Sequence, residues 1–159
     1  GGAGLRVDLA HAGTIGPLAP GDVLTLQGYL DKDQGSPRLL VWEPDWLRRT
    51  GHPVPPPPTT TIDLAVAPWQ ANAGRLIEVS GLVSLDCPNA IGDIPLDGGL
   101  TLSDRFIPLP AAIVDGSRIH AVRGVLVEEW GAWQLWPVDA DAVAGVSGGR
   151  PCMPAGAAL

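Results

Sequence analysis

The chain has 159 residues, of which 45% are hydrophobic and 17% are charged, a composition typical of a folded globular protein and not of a disordered one. Its formal net charge is −7, and Lys32 is the only lysine among the ten basic residues. This acidity argues against indiscriminate binding to phosphate backbones, although arginine side chains can still act locally. No apolar run approaches the roughly 20 residues that a membrane-spanning helix needs.

Glycine and proline are both abundant, with 21 and 17 copies, and few windows show helical periodicity. This combination favours many short strands joined by tight turns, and therefore an all-β fold.

Residues 1–70 are predicted to form an N-terminal β-hairpin region. The stretch GDVLTLQGYLDKDQGSPRLLVWE (21–43) predicts a hairpin that turns at Gly35 and returns along 38–43. A proline-rich linker follows at about 51–58, where consecutive prolines favour a semi-rigid extended spacer over a ligand for a proline-binding groove.

Residues 71–146 carry the strand sequence of a five-stranded OB-fold-like barrel. GRLIEVSGLVSLD (74–86) predicts a long strand, 98–104 and 105–114 predict two short ones, and GSRIHAVRGVLVEEWGAWQLWPV (116–138) predicts a closing hairpin. The N-terminal region is then either a β-extension of this barrel or a second, partial OB-like barrel. Residues 147–159 are small and weakly patterned, which predicts a flexible tail.

Mid-strand glycines recur at Gly28, Gly81 and Gly124. Glycine weakens a strand, so it usually marks a bulge, a bend or a close backbone approach. Long strands of small barrels pair at each end with different neighbours and need such bends. We therefore expect the strand through 118–128 to coil at Gly124.

The two cysteines, Cys87 and Cys152, lie in loop-like stretches with no metal-binding spacing. They are either two unpaired thiols or one disulfide that ties the tail to the barrel. The disulfide would imply an oxidising compartment. No other pattern indicates a metal site or a cofactor.

The order GDVLTLQGYLDKDQGSPRLLV, GHPVPPPPTTTIDLA, AGRLIEVSGLVSLD, GGLTLSDRFIPLP and DGSRIHAVRGVLVEEWGAWQLWP resembles the OB-fold accessory regions of bacterial extracellular nucleases, which precede an endonuclease/exonuclease/phosphatase-type catalytic domain. The resemblance covers roughly residues 20–139. It implies an OB fold, a secreted or envelope location, and an accessory role in engaging nucleic acid. The catalytic domain and its metal-binding constellation have no counterpart in this sequence, so the resemblance implies a non-catalytic chain.

Tryptophan is unusually frequent, with six copies against one Phe and one Tyr. Trp130, Trp133 and Trp136 cluster at the last hairpin, and Trp46 lies near the end of the first. Exposed indole rings could stack on bases, each worth about 1–3 kcal/mol, whereas buried ones would simply replace missing Phe and Tyr in the core.

Basic residues lie close to these aromatic rings, as on surfaces that bind single strands. The alternative is that they are scattered, solvated and paired with nearby glutamates. The candidate contacts are Arg105, Arg118, His120 and Arg123 on the barrel, and Arg48 and Arg49 beside Trp46.

The sequence therefore predicts a non-catalytic OB-fold binding module that engages single-stranded nucleic acid through tryptophan and arginine, in a secreted or envelope protein. The alternatives are a protein-interaction or envelope-structural β-domain without nucleic-acid binding, a carbohydrate-binding module, and a cytoplasmic location.

Overall fold

The computed structural model describes residues 5–10, 17–19, 21–33, 36–51, 59–63 and 69–152. Strands account for 56% and helices for 7%, which confirms the predicted all-β class. In chain order the strands are β1 (Arg6–Leu9), β2 (Val23–Leu26), β3 (Tyr29–Asp33), β4 (Ser36–Val41), β5 (Leu47–Gly51), β6 (Thr60–Ile62), β7 (Leu76–Val83), β8 (Ile94–Pro95), β9 (Leu100–Leu102), β10 (Asp115–Glu129), β11 (Ala132–Pro137) and β12 (Val143–Arg150), with one short helix, α1 (Trp69–Asn72). Within these ranges, no helix combines the length and the apolar character that crossing a membrane would require.

The N-terminal strands form two small sheets. In the first, β4 lies between β1, to which it is parallel, and β3, to which it is antiparallel; in the second, β2 pairs with β5. The expected first hairpin is present as β3 and β4. Its first strand, however, is divided at Gly28 into β2, which pairs with β5, and β3, which pairs with β4. The turn at Gly35 and linker residues 52–58 lie outside the described residues.

The C-terminal strands form one sheet in the order β6-β7-β10-β11-β9-β8, and β12 pairs with β10 beside this path. No sheet of the described ranges closes into a barrel. One isolated antiparallel bridge, Ser84 to Leu96, brings the end of β7 to the residue after β8.

Two sequence expectations are corrected in this region. Residues 105–114 form no strand, because Pro108 and Pro110 have no N–H with which to join a ladder. Residues 147–150, expected in a flexible tail, belong to β12, which pairs along β10 as far as Arg150. The strand was missed because its small residues carry no alternating apolar pattern, although Val143 and Val146 pack against the core.

The partner of β10 changes at Gly124. Residues up to Val122 pair with β12, and residues from Gly124 onward pair with β11 on the same edge. A Cβ at Gly124 would lie 2.7 Å from the Trp136 carbonyl oxygen, so glycine permits a close backbone approach where the partner changes.

The change of face in β10 occurs elsewhere, nearer its start. Buried residues of one strand face are normally two apart, yet here Ile119 is followed by Val122, and Val79 on β7 is followed by Leu82. Both strands thus switch their inward face at one level, where Gly81 adopts φ +73°. The switch of face in β10 thus lies between Ile119 and Val122, level with Gly81 of β7, whereas the change of neighbouring strand lies at Gly124.

The core lies inside the C-terminal sheet and consists of aliphatic side chains. Its buried members are Ile62, Ile77, Val79, Leu82, Ile94, Leu96, Leu100, Leu102, Ile113, Ile119, Val122, Leu126 and Leu135.

Candidate functional site

A cleft of about 750 Å³ lies between the start of the chain and the β10–β11 hairpin. Its volume is in the range of sites that hold a small molecule or a few side chains of a partner. The walls are largely apolar, and the residues that line it include Leu5, Val7, Pro37, Phe106, Val125, Val127 and Trp136.

The hairpin has an apolar wall because it is apolar on both faces. Leu126 and Leu135 point into the core, and each is fully buried. On the opposite face Val125 pairs with Trp136, and Val127 pairs with Gln134. This second apolar face is stabilised when it is shielded from water. β1 shields part of it, and the cleft lies between β1 and the hairpin.

Trp136 is a packed residue of this cleft wall and is only 4% exposed. Its indole N–H donates to Gln134 Oε1 at 2.8 Å, and Phe106 meets the ring edge-on at a centroid distance of 5.2 Å. The guanidinium carbons of Arg105 and Arg6 lie 5.7 and 5.9 Å from the ring centroid, within reach of cation–π attraction. Trp136 is therefore not the open stacking surface considered from the sequence.

Glu129 joins the two walls of the cleft. Its side chain is 6% exposed, and its Oε1 lies 3.2 Å from Arg105 Nη2 and 3.5 Å from Arg6 Nη1. A buried carboxylate needs such partners, because an uncompensated one costs several kcal/mol (about 3–5). The ion pairs therefore hold β1 against the end of β10.

Arg6 continues into a network of charges on the N-terminal sheet. Arg6 also contacts Asp8 and Asp33, while Arg38 contacts both of these and Asp31. The hydrogen bond from Arg38 holds the pKa of Asp31 below its usual value, and Asp31 in turn raises the pKa of Arg38. The network holds two arginines and three aspartates, a formal charge of −1, and it links the strands of the sheet that carries β1.

The formal charges that line the cleft balance. Two arginines, Arg6 and Arg105, are matched by two carboxylates, Asp8 and Glu128. The cleft thus offers an apolar surface bordered by both signs of charge, an arrangement suited to a ligand with little net charge.

The tryptophans predicted as one platform have three different environments. Trp130 is 73% exposed at the tip of the β10–β11 hairpin, with φ +57°. Trp133 is half-buried and packs against the core. Trp46 is half-buried and meets Tyr29 edge-on at 5.5 Å. Of these three rings, Trp130 alone presents most of its surface to solvent.

Three of the six predicted basic contacts are engaged with acidic groups. Arg105 binds Glu129 as described above, Arg123 Nη2 lies 2.6 Å from Asp139 Oδ2, and Arg49 lies 3.0 Å from Asp22. Arg48, Arg118 and His120 are exposed.

These residues do not converge on one surface. Arg118 and Trp130 are separated by roughly 40 Å of β10, at about 3.3 Å per residue. Trp46 and Arg48 belong to the N-terminal part, at and beside β5. The residues named from the sequence therefore lie in at least four places: the cleft, the hairpin tip, the start of β10, and the region of β5.

Sequence reasoning missed Arg6, Phe106, Val125 and Val127 as cleft residues, and Glu129 as the carboxylate that joins the cleft walls. One signal for the two valines was present, because Val125-Leu126-Val127 is apolar at three consecutive positions and so indicates burial on both faces of a strand. No pattern indicated that Arg6 would cross to Glu129.

The two cysteines form a disulfide, which confirms that alternative over two free thiols. Cys87 and Cys152, with Cα atoms 5.8 Å apart, join the loop after β7 to the residues after β12. The bridge fixes the C-terminal end of β12 beside β10.

Comparisons of the chain with protein-family models, with curated proteins and with solved structures find no match. The resemblance to nuclease accessory regions therefore stays a prediction, and the functional conclusion depends on the geometry of the cleft.

Proposed function

We propose that the protein is a non-catalytic binding module and that the cleft between β1 and the β10–β11 hairpin receives an extended segment of a partner protein. The observation that carries this proposal is the second apolar face of the hairpin, formed by Val125, Val127 and Trp136 and incompletely covered by β1. An aromatic or aliphatic side chain of the partner would complete that cover.

The charges support a peptide ligand over a polyanion. The cleft residues carry two positive and two negative side chains, while the whole chain carries a net charge of −7. A polyphosphate backbone would be repelled at long range and would find no surplus of cations in the cleft. A peptide, in contrast, can accept hydrogen bonds from Arg105 through its carbonyl oxygens and can bury its apolar side chains in the cleft.

The architecture proposed for this module is a partly open OB-like barrel formed by β7 to β11. The pairing path β7-β10-β11-β9-β8 supports it, since the Ser84–Leu96 bridge and the hydrogen bond from Leu85 N to Pro95 O at 2.8 Å bring the ends of this path together. The N-terminal sheets would then be the extension that covers one side of the barrel.

Single-stranded nucleic acid is the second candidate ligand, and one observation favours it. Arg105 and Phe106, which follow β9, are each more than half exposed and adjacent, as on single-strand-binding surfaces. Trp130 adds an exposed ring in a backbone conformation that costs a non-glycine residue about 1–2 kcal/mol. Quenching of tryptophan fluorescence by an oligonucleotide at low salt, weakening as salt rises, would support this candidate.

An oxidising compartment, outside the cell or in its envelope, is the location we propose. The disulfide between Cys87 and Cys152 supports it, because such bonds persist mainly where thiols are not kept reduced.

Peptide selection from a displayed library tests the main proposal. Peptides enriched on the wild-type protein should share an aromatic or aliphatic anchor, and should bind Val127→Lys and Phe106→Ala at least about tenfold more weakly. Val138→Lys is the matched control, since Val138 is exposed and does not line the cleft. Equal binding to all variants, or no enrichment, would contradict the proposal.

A further inference from the structure

A shallow depression lies at the start of β10, where this strand runs between β7 and β12. Its volume is about 260 Å³, and its lining includes Gly81, Arg118, His120, Gly145 and Ser147. It is far from the cleft, and none of these residues lines both sites.

Two glycines create this depression beside His120. The registers of β10 with β7 and with β12 place Gly81 on one side of His120 and Gly145 on the other. Both have positive φ, +73° and +64°, which glycine adopts without strain. The strands on both sides of the imidazole thus carry no side chain at this level, and the ring is left exposed in a hollow.

Arg118 supplies a positive charge that no acidic group of the described residues balances. Six of the nine arginines lie within 4.0 Å of a carboxylate, namely Arg6, Arg38, Arg49, Arg105, Arg123 and Arg150. Arg118 has no such partner within the described ranges, and no Asp or Glu lines the depression. The depression is therefore lined by one arginine and by no carboxylate.

The side chains of this hollow can converge on one ligand. Arg118 and His120 are alternate residues of β10, so both project to the face opposite the buried Ile119. Ser147 is the direct cross-strand partner of Arg118 on β12 and is exposed. A guanidinium, an imidazole and a hydroxyl are therefore grouped on one surface.

We propose that this depression binds a small tetrahedral oxyanion, sulfate or phosphate. Arg118 donates two parallel N–H bonds to two of its oxygens, because the guanidinium fork matches their spacing. The Ser147 hydroxyl donates a third bond, and His120 a fourth, which becomes charge-assisted when the ring is protonated. This site is independent of the cleft and of its ligand.

Titration with inorganic sulfate, followed through the NMR resonances of Gly81, Gly145 and the His120 ring, tests the proposal. Saturable shifts at these positions are expected, because the bound anion would contact the residues that line the depression. Arg118→Gln and His120→Ala should both weaken binding, the first at least about tenfold.

Arg48→Gln is the control, because Arg48 is an exposed arginine on β5, outside the depression. Unchanged affinity in Arg118→Gln, or an equal loss in Arg48→Gln, would overturn the proposal. Parallel titrations with inorganic phosphate and with glycerol phosphate distinguish a free anion from an esterified phosphate group. The compound that binds with the higher affinity shows which of the two the depression prefers.

Discussion

Arg6 on β1 and Glu129 at the end of β10 lie 3.5 Å apart, and this ion pair joins the N-terminal sheet to the hairpin that forms the other wall of the cleft. Arg105 meets the same carboxylate oxygen at 3.2 Å. Both guanidinium groups also approach the Trp136 ring. One buried carboxylate thus adds to the pairing of β1 with β4 in setting the position of β1 and the shape of the cleft.

Replacing Glu129 by Gln should lower the free energy of unfolding by about 1–2 kcal/mol. The buried carboxylate loses its charge, while the partial exposure of Arg6 and Arg105 limits the loss. Urea denaturation measures the change, and Glu43→Gln is the matched control at an exposed site, expected within about 0.5 kcal/mol of wild type. Equal stabilities of the two variants would show that Glu129 does not hold the walls together.

Trp136 and Trp130 should differ sharply when each is replaced by Ala. Trp136→Ala removes a buried ring with its hydrogen bond to Gln134 and should cost about 3–5 kcal/mol. Trp130→Ala removes an exposed ring, and alanine must adopt the same positive φ as tryptophan. The free energy of unfolding should therefore stay within about 0.5 kcal/mol of wild type. Thermal and urea unfolding of both variants measure the two losses. A large loss of unfolding free energy in Trp130→Ala would mean that the Trp130 ring is packed.

Gly124→Ala tests the close approach at the change of partner in β10. The added methyl group would lie 2.7 Å from the Trp136 carbonyl oxygen and 3.0 Å from Leu135 Cγ, so we expect a loss of about 2–3 kcal/mol in unfolding free energy. Gly131→Ala is the comparison, because it adds backbone strain at φ +74° but meets nothing within 4 Å. Its cost should be only about 1 kcal/mol, and the reverse order would refute this role for Gly124.

Removing the disulfide should destabilise the chain and loosen the end of β12. The bridge links residues 65 positions apart, for which a loss of about 2–4 kcal/mol is expected when both cysteines become Ser. Hydrogen exchange should increase first at residues 147–150 and should change little in β11. Unchanged protection in β12 would show that its pairing with β10 suffices.

Arg38→Gln should raise the pKa of Asp31 toward its usual value, because the hydrogen bond from Arg38 is the largest cause of its lowering. A carboxyl pKa that is lowered by folding stabilises the protein above the usual pKa of Asp, and this contribution disappears as pH falls through the lowered value. Carboxyl-carbon NMR titration measures the shift. Arg150→Gln, whose partner is Asp115, should leave the Asp31 titration unchanged.

The sequence predicted best where side-chain alternation and turn glycines agree. The alternation through β10 and β11 and the glycine at 131 predicted that hairpin closely, and the apolar residues of β7 predicted its strand. It failed at β12, where Ala144, Gly145 and Gly148 carry no alternating pattern and the strand is recognised only from its pairing with β10.

The candidate site was harder to predict than the strands. Trp136, one of the rings at the last hairpin, packs against a second layer of the fold. That layer comes from β1, whose position depends on parallel pairing with β4 and on the Arg6–Glu129 ion pair. Contacts between residues so distant in sequence leave no local pattern to read.

The most direct test of the cleft as a ligand site is a methyl NMR spectrum of the protein with a peptide selected on it. We expect the methyl resonances of Val7, Val125 and Val127 to shift until the peptide site is saturated. Those of Val143 and Val146 beside β10 should not shift. Shifts confined to Val143 and Val146, or to the exposed Ile91, with the cleft methyl groups unchanged, would contradict it.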